Sequence, residues 1–283
     1  MQGEFLPRRC GTLPPKGLKK MKRYEDLDIT DNFMFAKVFS NEDVAKDFLQ
    51  SVLKIQIEKI SVVGEATTQE DPFHKSVRFD VVAKDDVPGS ARYFDVEMQM
   101  ENTGELPKRA RYYQSMCDLD ALGKGVDYDE LREQYILFIC PMDIFGKGKA
   151  IYRFENREES DPNILMGDLT YKNFYIFRKY GEIEDKSTRE YMQYFATQKH
   201  ESEKLRRIQE LVEKYRKDPI TRKAYMTLEQ ELNIRYKKGV KEGRAEGADL
   251  KNRQLAKGFR DDGFPLEAIA KQTGLTKEEI LAL

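Results

Sequence analysis

Residues 78–100, RFDVVAKDDVPGSARYFDVEMQM, set three oxygen-bearing side chains where they can share a cation. Two β-prone runs flank a turn-rich centre, Lys84 to Ala91, with Pro88-Gly89 at its middle, the pattern of a β-hairpin or a slightly wider connection. Side chains alternate along a strand, so parity assigns each residue to a face. On the second strand Tyr93, Asp95, Glu97 and Gln99 share one face, while Phe94, Val96, Met98 and Met100 share the other. On the first strand Asp80 lies between Arg78 and Val82, opposite Phe79 and Val81. This predicts one core face and one acidic face that gathers Asp80, Glu97 and Gln99.

Two carboxylates brought within a few ångströms repel, and a divalent cation relieves that repulsion. Mg²⁺ prefers oxygen ligands and keeps waters for chemistry. A Gln carbonyl two residues beyond a Glu can ligate, or orient a water, without adding charge. The competing reading is a solvated strand face, on which acidic alternation is common. The apolar character of the partner face favours a central hairpin and therefore buried acids.

The surrounding pattern supplies the elements that must hold this hairpin. Residues 24–55 read as two helices, with Phe33, Phe35, Val38 and Phe39 as one stripe and Val44, Phe48, Val52 and Leu53 as the next. Ser40 with Asp43 gives a capping signal between them. Residues 55–64 suggest a first strand. After the hairpin, 108–122 reads as a helix with Tyr113, Met116 and Leu119 facing the core and Gly123 as its stop. QYILFICP, 134–141, is a strand buried on both faces. Residues 149–157 and 169–178 alternate and pair across the ESDPN loop. Helix, strands, helix, strand is the order of an α/β sandwich around a mixed sheet.

Beyond Gly181 the chain turns polar and helical, breaking at Asp218-Pro219. Residues 221–257 are helical again and carry Gly239, Gly243 and Gly247, a spacing that suits either close helix pairing in an oligomer or a flexible charged linker. In the tail, 265–272 forms one helix, Thr273-Gly274-Leu275 a turn, and Thr276 with Glu279 a capping box for a second. The expected divisions are a disordered extension over 1–22, a catalytic domain over 23–181, a charged helical region over 182–258 and a small helix-turn-helix-like tail over 259–283. The tail reads as a docking or self-association element.

Composition bounds the class. The 283 residues are 40% hydrophobic and 35% charged, enough for a core under a highly charged surface. No apolar run approaches the ~20 residues of a membrane helix, and the first 20 residues lack a signal peptide's apolar stretch. The cytoplasm is the expected compartment, with Met21 a candidate start. Cys10, Cys117 and Cys140 are too widely spaced for a zinc pattern and read as free thiols. With only His74 and His200, a zinc site or a Ser-His-Asp triad is poorly supported. The net charge of −1 is unevenly spread: residues 199–257 hold 17 Lys and Arg against 10 Asp and Glu. A basic segment on an acidic body suits phosphate contact by one and cation binding by the other, although a solvated helix laced with ion pairs has the same composition.

Asp80 followed by Glu97-Met98-Gln99 resembles the PD-(D/E)XK nuclease superfamily in its Rpn (recombination-promoting nuclease/transposase) branch. Thr30-Asp31 leading to Phe35 and Phe39, Lys108-Arg109 with Tyr112-Tyr113, Gly125-Val126-Asp127-Tyr128, the glycine-spaced charged helix and the terminal IAKQTGLTKEEI are similar to it as well. The resemblance implies a restriction-endonuclease-like α/β fold with a mixed central sheet flanked by helices, followed by a helical C-terminal extension. It implies a Mg²⁺-dependent DNA endonuclease (Mn²⁺ as a substitute) from a mobile-element or defence setting; separately, the pattern of the C-terminal helices leads us to expect a homo-oligomer joined through them. Asp80 and Glu97 would ligate the metal, and Gln99 would stand where the motif lysine stands, offering a dipole in place of a charge. Asp31 would complete the acidic set from the first helix, with Asp47 as the alternative and helix capping as its competing role. Arg109, Arg111 and Lys108 would contact DNA phosphates; Tyr112 and Tyr113 would pack against DNA sugar or into the core.

Overall fold

A computed structural model describes residues 21–64, 80–85, 92–121, 125 and 127–283. His74, Cys10, the Pro88-Gly89 turn and the Gly123 stop lie outside them. The chain divides into a unit spanning Lys22–Arg222 and a second that includes Lys223–Leu283.

The first unit is an α/β structure on a six-stranded mixed sheet, in the order β1-β2-β3-β4-β6-β5. These strands are β1 (Ser61–Gly64), β2 (Val81–Asp85), β3 (Arg92–Met98), β4 (Glu133–Cys140), β5 (Ile151–Phe154) and β6 (Thr170–Ile176). β1, β2 and β3 form an antiparallel meander, β3, β4 and β6 run parallel, and β5 returns antiparallel to β6. The hairpin, the buried β4 and the β5–β6 pair stand where the residue pattern places them. β1 is shorter than expected, starting at Ser61 rather than at Ile55.

The helices follow from amphipathic spacing and local caps. α1 (Asn32–Phe39) buries Phe35, Val38 and Phe39, and α2 (Glu42–Leu53) buries Val44, Phe48 and Val52 at helical intervals. The cap of α2 is Asn41, whose side chain accepts from the Val44 N–H at 3.2 Å; Ser40 closes α1, donating its hydroxyl to the Ala36 carbonyl. The expected Ser40–Asp43 cap is therefore displaced by one residue, and asparagine serves the position as well as serine does. α3 (Leu106–Ala121) presents Leu106, Ala110, Tyr113 and Cys117, an i, i+4, i+7, i+11 stripe. Leu119, expected inside, is 73% exposed, because that stripe turns it to the opposite side.

Helices cover both faces of the sheet. α3 packs on the face of Val82, Tyr93, Ile136 and Phe138. On the other face the Tyr175 hydroxyl of β6 donates to the Val52 carbonyl of α2 at 2.9 Å. α4 (Lys186–Thr197) and α5 (Glu203–Lys217) belong to this same body, burying Tyr191, Phe195, Leu205 and Ile208. The ring of Phe195 lies 6.1 Å from that of Phe48, and Arg216 Nε donates to the Leu27 carbonyl at 2.7 Å.

α6 (Pro219–Asp261) starts on the expected proline, with the Asp218 carboxylate accepting from the Thr221 N–H at 2.9 Å. It runs unbroken through Gly239, Gly243 and Gly247, where a Cβ would meet nothing within 4 Å. In the second unit Ala256 of α6 packs with Ile269 of α7 (Leu266–Thr273), Leu275, and Ile280 of α8 (Lys277–Leu281). Gly274 at φ 73° makes the turn and Thr276 with Glu279 forms the capping box, both as the residue pattern predicts.

Candidate active site

The antiparallel register of β2 and β3 pairs Val81 with Val96 and Val82 with Asp95, which sets Asp80 beside Glu97. The Asp80 N–H donates to Glu97 Oε1 at 3.0 Å, and Asp80 Oδ2 accepts from the Met98 N–H at 3.1 Å. Each acid is thus pinned to the other's strand. Gln99 continues from β3 and donates its backbone N–H to the Ile139 carbonyl of β4 at 2.9 Å. The acids therefore stand at the carboxyl end of a central parallel strand, where α/β folds place their ligands.

Arg109, in the first turns of α3, draws these groups together. Its Nη1 donates to Gln99 Oε1 at 2.7 Å, and its Nη2 donates to the Tyr113 hydroxyl at 2.7 Å and to Glu97 Oε2 at 3.2 Å. The guanidinium also lies over the rings of Tyr113 and Phe138, 5.3 and 5.6 Å from their centroids. Burial works against the Arg109 charge, but Tyr113, Glu97 and Asp80 outweigh it and hold the group protonated. Gln99 in turn donates its amide to the Glu101 carbonyl at 2.7 Å, which aims its oxygen at Arg109.

The acidic face is not open to solvent. α3 covers it, so β3 is buried on both faces, and the acids are buried as expected of a central hairpin rather than lying on a solvated strand face. Glu97 is 3% exposed and Asp95 fully buried. Burial, then the charges of Asp95 and Asp80, holds the Glu97 carboxyl well above the usual carboxylate range. Burial, then Asp80, does the same to Asp95. Among the described residues no N–H or hydroxyl donates to either Asp95 oxygen; Asp95 lies against the Glu97 carboxyl.

The other expected site residues are scattered around this cluster. Lys108 and Arg111 are exposed on α3 near Arg109. Tyr113 is a core residue, its hydroxyl pushed up to about 12 by burial and by Glu97, while Tyr112 is half-buried. Asp31 is engaged elsewhere: its Oδ2 accepts from Lys22 Nζ at 2.9 Å and from the Asp28 N–H at 2.8 Å, and its side chain makes no helix cap. The group of this turn that reaches the cluster is Asn32, whose amide donates to Asp80 Oδ2 at 3.1 Å. Asp47 accepts from the Tyr191 hydroxyl at 2.6 Å, between α2 and α4. Asn32 carried no signal in the residue pattern; Asp95 carried one, its shared parity with Glu97.

Among the described residues no three His, Cys, Asp or Glu side chains form a ready cation cage. The donor chemistry nonetheless fits a hard divalent ion. Asp80 and Glu97 offer carboxylate oxygens and Gln99 a carbonyl. Cys117 and Cys140 are buried and not joined in a disulfide.

A helix-flanked, six-stranded mixed sheet is consistent with the PD-(D/E)XK fold. The chain belongs to the PD-(D/E)XK nuclease family transposases, whose family model matches residues 29–251. No curated protein and no solved structure matches it.

Proposed function

We propose that the protein is a divalent-cation-dependent endonuclease that hydrolyses DNA phosphodiester bonds with little sequence preference. The observation that carries this reading is the meeting of Asp80 and Glu97 across β2 and β3, with Gln99 and Arg109 in contact beside them. Asp80 and Glu97 would hold Mg²⁺, or Mn²⁺ in its place. Such an ion supplies positive charge at the scissile phosphate and a water of lowered pKa. Asn32 steadies Asp80 from α1. Arg109, with 27% of its side chain exposed, clamps a phosphate oxygen by charge-assisted hydrogen bonds. Lys108 and Arg111 meet flanking phosphates along the same helix. Gln99 orients the attacking water with a dipole where a lysine would add a charge, so turnover is slow.

The family supports a role in recombination, mobile elements or phage defence. Among the described residues no helix is long and apolar enough to cross a membrane, and we place the enzyme in the cytoplasm. Exposed Leu250 and Leu255 of α6, Phe264 between α6 and α7, and Leu281 of α8 support self-association there.

The test is nicking of a supercoiled plasmid in Mg²⁺, Mn²⁺ or Ca²⁺, with an RNA substrate in parallel. Cleavage is expected in Mg²⁺ and Mn²⁺, falling to background in Asp80→Ala and Glu97→Ala while both proteins stay folded. Full cleavage without either acid would remove the assignment. A second reading draws on the Glu97–Arg109 ion pair at 3.2 Å, which neutralises the acid from within the protein. In it the fold is a non-catalytic interaction module, favoured if neither ion raises the melting midpoint.

A further inference from the structure

Asp95 is the acid that this chemistry leaves unused. It sits mid-strand in β3, fully buried against the Glu97 carboxyl, and among the described residues no N–H or hydroxyl donates to either of its oxygens. A carboxylate stripped of water and given no donor is costly, and proteins rarely keep one without a reason. Arg109 directs its Nη atoms to Gln99, Glu97 and Tyr113 instead. The fold does not require an acid there either. The cross-strand partners of Asp95 are Val82 on β2 and Ile136 on β4, and a β-branched aliphatic residue would suit the position. Alternation puts Asp95 on the face of Glu97, roughly 7 Å along the strand.

We infer that Asp95 is a third carboxylate of the cation site, serving divalent-cation affinity rather than the fold. This deepens the endonuclease reading and rests on it. Because no three acids form a ready cage among the described residues, Asp95 acts from behind Glu97 and not as a direct ligand. Groups in this supporting position change metal affinity about 10–100-fold when removed.

Two variants test it. Asp95→Asn keeps the shape and removes the charge; Asp95→Val suits a buried strand. Each is melted in chelator and titrated with Mn²⁺ by calorimetry. Both should melt at or above the wild-type midpoint without metal, and both should bind Mn²⁺ at least about tenfold more weakly. Wild-type Mn²⁺ affinity in either variant overturns the inference, as does a midpoint far below wild type in both, which would assign the carboxylate to the fold. Glu97→Gln separates the levels. If it abolishes Mn²⁺ binding while Asp95→Asn does not weaken it, this inference alone fails. If wild type takes up no Mn²⁺, the cation reading fails and carries the inference down with it.

Discussion

Arg109→Ala is the most direct probe of how the acidic cluster is balanced. The guanidinium makes three side-chain hydrogen bonds, to Gln99, Glu97 and Tyr113, and covers the ring of Phe138. Removing one partner of a buried ion pair costs about 3–5 kcal/mol, because the other charge is left stranded. Two features reduce that figure here. The Arg109 side chain is 27% exposed, so solvent already screens part of the interaction. Glu97 can also escape by taking up a proton. A loss of about 2–3 kcal/mol at pH 7 in chelator follows, or roughly 4–12 °C in melting midpoint for a body of this size.

The pH dependence has a definite sign. Burial, Asp95 and Asp80 already hold the Glu97 carboxyl above its usual range, and losing the guanidinium raises it further. The native state then binds more protons than the unfolded state between the unfolded value, about 4.3, and the raised native one. Stability accordingly falls as pH rises through that window. The deficit of Arg109→Ala should be widest at pH 7 and narrow toward about pH 4–5. It should also narrow in saturating Mg²⁺, since an ion held by Asp80 and Glu97 replaces the missing charge. Urea unfolding of both proteins at two pH values, each with chelator and with Mg²⁺, gives four comparisons. A deficit of one size in all four would refute the electrostatic account and leave only lost packing.

Two further predictions concern the scaffold. Asp185 caps α4, its Oδ1 accepting from the Thr188 N–H at 2.8 Å and from Lys54. Against slight burial, Lys54 and the Thr188 hydrogen bonds hold its carboxyl well below the usual range. That stabilisation is present above the unfolded value of about 3.9 and is lost as pH falls through the lower native value. Asp185→Ala should therefore cost about 1 kcal/mol at pH 7, with the gap closing below about pH 4; a gap that ignores pH would contradict the cap. Phe138, fully buried, stacks on Phe174 at 5.3 Å beneath α3. Phe138→Ala should cost about 3–5 kcal/mol by chemical denaturation, and a loss under about 1 kcal/mol would mean that α3 does not seal this face.

Much of the sheet was legible because period-two alternation is a local property. Parity alone brought Asp80 and Glu97 together, and the run QYILFIC announced a strand buried on both sides. What parity cannot report is what lies above a face. That α3 closes over Asp95 and Glu97 depends on a helix stripe led by Leu106 and Ala110, two small or early residues that a search for large apolar groups passes over. The same stripe explains Leu119: a helix of mixed polarity offers several plausible faces, and tertiary packing chose among them. Likewise α4 and α5 read as polar, although every third or fourth residue of α5, Leu205, Ile208 and Val212, is buried in the body.

The turn into α1 shows where reasoning from residue type reaches its end. Asp28, Asp31 and Asn32 lie within five residues, and a search for metal ligands favours the acids. Both acids are occupied locally, sharing Lys22 Nζ at 2.9 Å each, with Asp28 also accepting from the Thr30 N–H. Short acidic side chains in turns bond to nearby backbone and cations before they reach across a domain. Asn32, the first residue of the helix, leaves that turn network to its neighbours and points its amide at Asp80. An amide suits the spot better than a carboxylate would. Facing Asp80, with Glu97 and Asp95 behind it, another negative charge would deepen the repulsion, whereas an N–H donor fixes the orientation of Asp80 at no electrostatic cost. A cluster already short of positive charge selects a neutral donor at its rim, so this contributor is the residue type that a hunt for acids discards.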